Sequence, residues 1–310
     1  MKKIALLFPG QGSQYVGMGR KILDTWPGGS SILSIMPDFL SELCFNGPKK
    51  DLDNTLNAQP AIFTINLLYW HWLLEEMEEI EPDFAAGHSL GEYTAMVASG
   101  ILEEVQALDL VKERAVLMSR AAKEHPGAMV AVLGLSAQTI EDFLKKINSP
   151  VEIANYNSPG QVVISGAISD IKLISAQLKA LNGAKLIPLP VSGAFHSSIM
   201  KKAEMGLVEE LKDISFAEAR YPIITNYSAR PVSGGAEAKE ALSRQVTGSV
   251  RWEQSIKWLI EHDVDTFIEV GPGEILRGLL KRIAPEATSF SLDAYDNIDA
   301  FKDDWRSAGQ

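Results

Sequence analysis

Two side chains define the chemistry open to this chain: a serine framed by glycines, and a histidine well downstream of it. Gly87-His88-Ser89-Leu90-Gly91 fits G-x-S-x-G, in which the serine occupies a strand-to-helix turn too crowded for side chains two places before and after it. The flanks suit that turn. Pro82 to Ala86 is short and ends in small residues, and Glu92 to Ala98 has no helix breaker before Gly100. A serine hydroxyl attacks well only when a neighbouring base takes its proton, and the chain offers five histidines. His71, His125 and His262 fall in or at the ends of expected helices, while His88 adjoins Ser89 and should leave the turn in another direction. His196 follows a strand, sits among small residues and comes after the serine, as the order Ser…His of hydrolases requires. No Asp between them is an obvious third member, because Asp109, Asp142 and Asp170 fall in helical or inserted segments. A backbone carbonyl could orient the histidine instead.

These residues need a frame, and hydrophobic patterning supplies one. Ile4 to Phe8 reads as a buried strand, followed by the glycine-rich loop Pro9-Gly10-Gln11-Gly12-Ser13-Gln14, which matches neither a phosphate loop nor a dinucleotide fingerprint. A loop at that place can present backbone N–H groups to a ligand. Thr25 to Asp53 is mixed, broken by Pro27-Gly28-Gly29. From Gln59-Pro60 to Glu79 apolar residues recur at three- and four-residue steps, and Leu102 to Ala122 reads as a long amphipathic helix carrying Arg114 near its apolar edge. Between Pro126 and Val191 the rhythm changes to strand, helix, strand, strand, helix, strand, the βαββαβ order of a ferredoxin-like unit. Residues 126–191 are therefore expected as a small domain inserted into a large α/β domain of residues 1–125 and 192–310, with the site at their junction. The large domain resumes with a strand over Tyr221 to Asn226, a helix over Ser255 to Glu261, a strand over Asp265 to Val270 and a helix over Ile275 to Ile283. The tail from Ala284 carries little signal.

Composition narrows the classes. A hydrophobic content of 46% comes without any run near the ~18 apolar residues a membrane span needs. The stretch Met1 to Gly10 resembles a leader but has too short an apolar run and no small-residue cleavage site. A lone cysteine, Cys44, agrees with a reducing cytoplasm. The net charge of −11 argues against nucleic acid and requires any anionic ligand to meet a local basic patch.

Five motifs stand in order: Phe8-Pro9-Gly10-Gln11-Gly12-Ser13-Gln14, Gly87-His88-Ser89-Leu90-Gly91-Glu92, Asn155-Tyr156-Asn157-Ser158-Pro159-Gly160-Gln161, Gly193-Ala194-Phe195-His196-Ser197 and Glu269-Val270-Gly271-Pro272-Gly273. Together, from Ile4 to about Ile283, they resemble the malonyl-CoA:acyl carrier protein transacylase family, including polyketide synthase acyltransferases. The resemblance implies an α/β-hydrolase-like large domain with an inserted ferredoxin-like one, and a malonyl group carried on Ser89 with His196 as base and then acid. It further implies an oxyanion hole from the N–H groups of Gln11 and Leu90, a carboxylate clamp at Arg114, and a Gln245 main-chain carbonyl that orients the histidine. Met118, Asn157 and Phe195 would line the acyl pocket, Phe195 being the residue of malonyl-selective members. The implied partners are malonyl-CoA and acyl carrier protein, with no cofactor, no metal, no nucleic acid and no membrane, in a cytoplasmic monomer. Both partners are anionic, so Arg277, Lys281 and Arg282 on the last expected helix, and Lys201 with Lys202, are the candidate basic patch. A hydrolase clearing stalled acyl groups is the alternative, and a catalytically silent binding module a third reading.

Overall fold

The computed structural model describes residues 2–181 and 183–308; Met1, at the head of the leader-like stretch, Asn182 in the expected insertion, and the tail residues Gly309 and Gln310 lie outside it. Among the described residues ten strands form two sheets: β1 (Ile4–Phe8), β2 (Phe84–Gly87), β3 (Gly127–Leu133), β4 (Glu152–Ser158), β5 (Gln161–Ala167), β6 (Lys185–Pro188), β7 (Ile223–Ile224), β8 (Pro231–Val232), β9 (Thr266–Glu269) and β10 (Thr288–Ser291).

The larger sheet has the order β10-β9-β1-β2-β7-β8. All its pairings are parallel except that of β7 with β8. β1 lies at its centre, and its alternating side chains feed two cores. Ile4, Leu6 and Phe8 pack with the Thr55–Glu76 helix, whereas Ala5 and Leu7 pack with Trp252, Ile256 and Leu276 on the opposite face. From β1 the chain builds outward through β2 to β7 and later returns on the other side with β9. The crevice at the carboxyl end of β1 is therefore a topological switch point, where open α/β sheets bind ligands.

The second sheet has the order β4-β5-β3-β6 and is antiparallel throughout. With the helices Ala137–Lys146 and Ile168–Lys179 it makes the expected ferredoxin-like unit. Val130, Val132 and Ile164 pack against those helices, while Met129, Ala131 and Val163 on the opposite face turn toward the large sheet. The outer strand β4 is not left free: Tyr156 N–H donates to Val250 O at 2.9 Å and Val250 N–H to Ala154 O at 2.8 Å, pinning the insert to the chain beyond residue 192.

Several expectations need correction. The central helix begins at Thr55, not at Gln59-Pro60; the Asn54 side chain accepts from Leu56 N–H to cap it, and Pro60 sits inside. A proline there removes one backbone donor, and burial on all sides of the helix compensates for it. Expected as beginning at Leu102, the next long helix runs over Glu104–Glu124. Two helices, Lys201–Lys212 and Gly235–Gln245, fall where no helix was read, and the tail supplies both β10 and the Ile298–Ser307 helix. Gln245 is the last residue of the second of these helices.

Candidate active site

Ser89 stands between β2 and the Gly91–Ala98 helix at φ 52, a left-handed backbone uncommon for any residue but glycine. The crowding is literal. A Cβ at Gly87 would lie 2.0 Å from Gly91 C, and one at Gly91 would lie 2.0 Å from Phe8 O. Asn226 clamps the strained peptide, its Oδ1 accepting from Ser89 N–H at 2.6 Å while its Nδ2 donates to Gly87 O at 2.6 Å; Gln245 Nε2 donates to Ser89 O at 2.9 Å. The strain at the serine is thus held by two amide side chains.

Ser89 Oγ lies 2.8 Å from His196 Nε2. The other ring nitrogen, Nδ1, faces the carbonyls of Gln245 at 3.0 Å and Gly248 at 3.1 Å. Two acceptors there place the proton on Nδ1 and leave Nε2 free to take the serine proton. No carboxylate is needed, as the search for a third member suggested. His196 is itself at φ 56 and buried. Burial first and the Arg114 cation second push its pKa down to about 3, so His196 is a neutral imidazole.

Arg114 is not at the edge of its helix face but enclosed, with 2% exposure. Its Nη1 donates to Gln59 Oε1 at 2.5 Å, its Nη2 to Ser89 Oγ and Gln245 Oε1 at 3.0 Å each, and its guanidinium lies 5.4 Å from the Tyr93 ring. Among the described residues no carboxylate pairs with it. A buried guanidinium whose nearest counter-charge, Glu92, is reached only through the Gln245 amide is costly, and it is aimed at the nucleophile.

These groups border a cavity of about 250 Å³ between the two sheets. Gln11, Ser89, Arg114 and His196 line it from the large sheet, Met129, Ala131 and Asn157 from the small one, and Leu276 and Leu279 close a further side. Met118 and Phe195 are in the wall as expected. Asn157 does more than line it, since its Oδ1 lies 3.0 Å from His88 Nε2. His88 thus faces the same cavity as Ser89 and is spoken for by β4. Gln245 does not line the cavity but lies behind Arg114, its carbonyl facing His196 Nδ1 as the resemblance implies and its side-chain oxygen accepting from Arg114. The N–H groups of Gln11 and Leu90 meet no acceptor among the described residues, and the Gln11 side chain is tied to Thr55 at 3.0 Å.

Other candidates disperse. His71 Nε2 sits 2.6 Å from Glu104, and His262 stacks on Trp258 at 3.6 Å. Lys201 pairs with Glu204 and Lys202 with Glu124, so that pair brings no net positive charge. Arg277 is paired with Glu274 at 2.8 Å, and Arg282 donates to Gln161 at the rim of the cavity at 2.8 Å. Gln59, Asn226 and Glu92 are working partners that the sequence reading passed over. Glu92 carried a signal, being the one charged residue in an otherwise uncharged helix; Gln59 and Asn226 carried none.

A family model described as an acyl transferase domain matches residues 5–289. The chain is 43% identical over 309 residues to the malonyl CoA-acyl carrier protein transacylase of Bacillus subtilis (strain 168), covering 96% of each chain. Among solved structures it is similar to an acyl carrier protein S-malonyltransferase from Vibrio cholerae, with a TM-score of 0.90, 32% identity, and coverage of 97% of this chain and 100% of that one. It is also similar to a malonyl-transacylase solved in complex with a type II polyketide synthase acyl carrier protein, with a TM-score of 0.88, 33% identity, and coverage of 94% and 96%.

Proposed function

The chain belongs to the acyl transferase family, and on that premise we propose that it moves a malonyl group from malonyl-CoA to the phosphopantetheine thiol of an acyl carrier protein, in fatty acid or polyketide synthesis. The observation that carries the reading is Arg114, buried without a carboxylate partner and 3.0 Å from Ser89 Oγ. A guanidinium binds a free carboxylate through two parallel hydrogen bonds, and an acetyl group would leave it unsatisfied.

The step follows from the geometry. Ser89 Oγ attacks the thioester carbonyl carbon as His196 Nε2 takes its proton; the negative oxygen that forms is met by the N–H groups of Gln11 and Leu90. The C–S bond breaks, and the leaving thiolate takes the proton from the imidazolium. In the second half the carrier thiol gives its proton to His196, its sulfur attacks the ester, and Ser89 Oγ leaves and is reprotonated. When the malonyl carboxylate neutralises Arg114, the second cause of the low His196 pKa is removed, so the correct substrate makes its own base stronger. The apolar wall from Met129, Ala131, Leu276 and Leu279 limits water at the ester. Lys281 and Arg282, at the end of the Ile275–Ile283 helix, are the basic groups offered to the anionic partners. A cytoplasmic setting is proposed with this function, since the lone Cys44 is a buried free thiol.

Incubation with malonyl-CoA, followed by addition of a phosphopantetheinylated carrier protein, tests this by intact mass. A malonyl adduct on Ser89 that passes to the carrier is expected. Absence of the adduct, or free malonate forming faster than malonyl carrier protein, would overturn the assignment, the second outcome in favour of a hydrolase.

A further inference from the structure

Glu92 is a buried carboxylate that the reaction above does not use. It lies in the first turn of the Gly91–Ala98 helix with no exposure. Its Oε2 accepts from Gln245 Nε2 at 2.5 Å and from Asn226 N–H at 3.3 Å, while its Oε1 has no partner among the described residues. The Gln245 amide has only one workable orientation. Its nitrogen stands against two acceptors, Ser89 O and Glu92 Oε2, and its oxygen accepts from Arg114 Nη2. Anion, amide and cation therefore form one relay, in which Glu92 is the counter-charge of Arg114.

A carboxylate on the acyl group adds a third charge to this enclosed set. Two anions sharing one cation in a dry cavity are unstable against protonation of one of them. The groups facing Glu92 are Arg114 from the Glu104–Glu124 helix and Tyr93 from its own helix, with His196 tethered to Gln245; the β7 side contributes only the uncharged Asn226. Burial already pushes Glu92 up to about 7, opposed by hydrogen bonds from Gln245 and Asn226 and by the attraction of Arg114. An incoming carboxylate satisfies Arg114 and removes that last opposition. His196, held far lower, is the poorer proton acceptor.

Resting on the function proposed above, we propose that Glu92 takes a proton from solvent when a carboxylate-bearing acyl group pairs with Arg114. Glu92 is thereby a positioning residue that sets how the site distinguishes acyl groups with and without a carboxylate. The balance is one carboxylate plus one proton giving one carboxylic acid, and no bond to the substrate changes.

Calorimetry of the Ser89→Ala protein, which cannot turn over, in two buffers of different ionisation enthalpy near pH 8 measures the proton directly. Binding of malonyl-CoA should take up about one proton, and acetyl-CoA none, the phosphates common to both ligands cancelling. In the intact enzyme the malonyl-CoA KM should rise about tenfold per pH unit above about pH 7 with kcat nearly constant, while the acetyl-CoA KM stays flat. Glu92→Gln should flatten the malonyl profile. Equal uptake for both thioesters, or a malonyl slope that persists in Glu92→Gln, overturns the proposal. If Glu92→Gln fails to fold, the Ser89→Ala calorimetry alone decides. Failure of Ser89 to be malonylated would instead remove the function itself, so the two failures are distinct.

Discussion

Two turns leave the strands on either side of β1 and enter helices, and they are built to opposite ends. At the end of β2, Ser89 sits in a left-handed conformation, two N–H groups nearby lack acceptors, and the first-turn Glu92 has an oxygen without a partner. At the end of β9 the strand's own Glu269 reaches into the following helix, accepting from Leu276 N–H at 3.0 Å and Arg277 N–H at 2.8 Å. The Gly271-Pro272-Gly273 turn between them is latched by Asp293, which accepts from Gly273 N–H at 2.6 Å and from Tyr15 OH at 2.9 Å. Both glutamates are buried and pushed up to about 7 by that burial, yet one has its acceptors filled and the other does not. Unfilled acceptors in a folded interior cost stability, so the open carboxylate oxygen of Glu92 and the filled one of Glu269 separate the turn that works from the turn that supports it.

The comparison can be broken at several points. Ser89→Ala should lower malonyl transfer by on the order of a thousandfold or more and abolish the covalent adduct seen by mass. Arg114→Ala should lower kcat/KM for malonyl-CoA by about a hundredfold while sparing acetyl transfer; equal losses on both thioesters would take Arg114 out of selectivity. Glu269→Gln should leave one helix N–H unsatisfied, at about 1–3 kcal/mol in urea unfolding, without changing the malonyl-to-acetyl ratio; a changed ratio would make the second turn part of the working site. The smallest effect concerns pH. His196 is depressed from 6.5 to about 3 in the free enzyme, so it remains an unprotonated base throughout the range in which an ordinary histidine gains its proton. The acetyl-CoA kcat/KM should therefore show no acid limb near 6.5, and such a limb would mean that burial is not controlling the base.

What the sequence made legible follows the same division. Local requirements leave local marks: the glycines of a crowded elbow, a change of hydrophobic period at Pro126, a histidine in a loop of small residues. Partners brought from far away leave none. Asn226 clamps Ser89 across more than a hundred residues, and nothing in Ile223-Ile224-Thr225-Asn226 distinguishes it from an asparagine ending any short strand. Gln59 reads as an ordinary polar residue before a proline, and that proline also hid the true start of its helix. The tail was silent because β10 is a short edge strand whose identity comes from pairing with the fully buried β9, not from its own pattern. Arg114 was recognisable as chemistry only through the motifs around it, since the amphipathic period alone left it near the apolar edge.

The place of β1 at the centre of the sheet has a consequence for synthesis. Ile4 to Leu7 are translated long before Thr266–Glu269, the strand that one of their two edges must pair with. Until that late strand has been translated, β1 presents an unpaired edge, and the glycine-rich loop that follows it lacks a flanking wall. Pairing at such sequence separation is slow and exposes apolar strands in the meantime. Ser89 and its elbow can form on β2 before then, yet the cavity around the nucleophile cannot close until Leu276 and Leu279 of its wall have been made, which delays acylation chemistry until water can be kept from it.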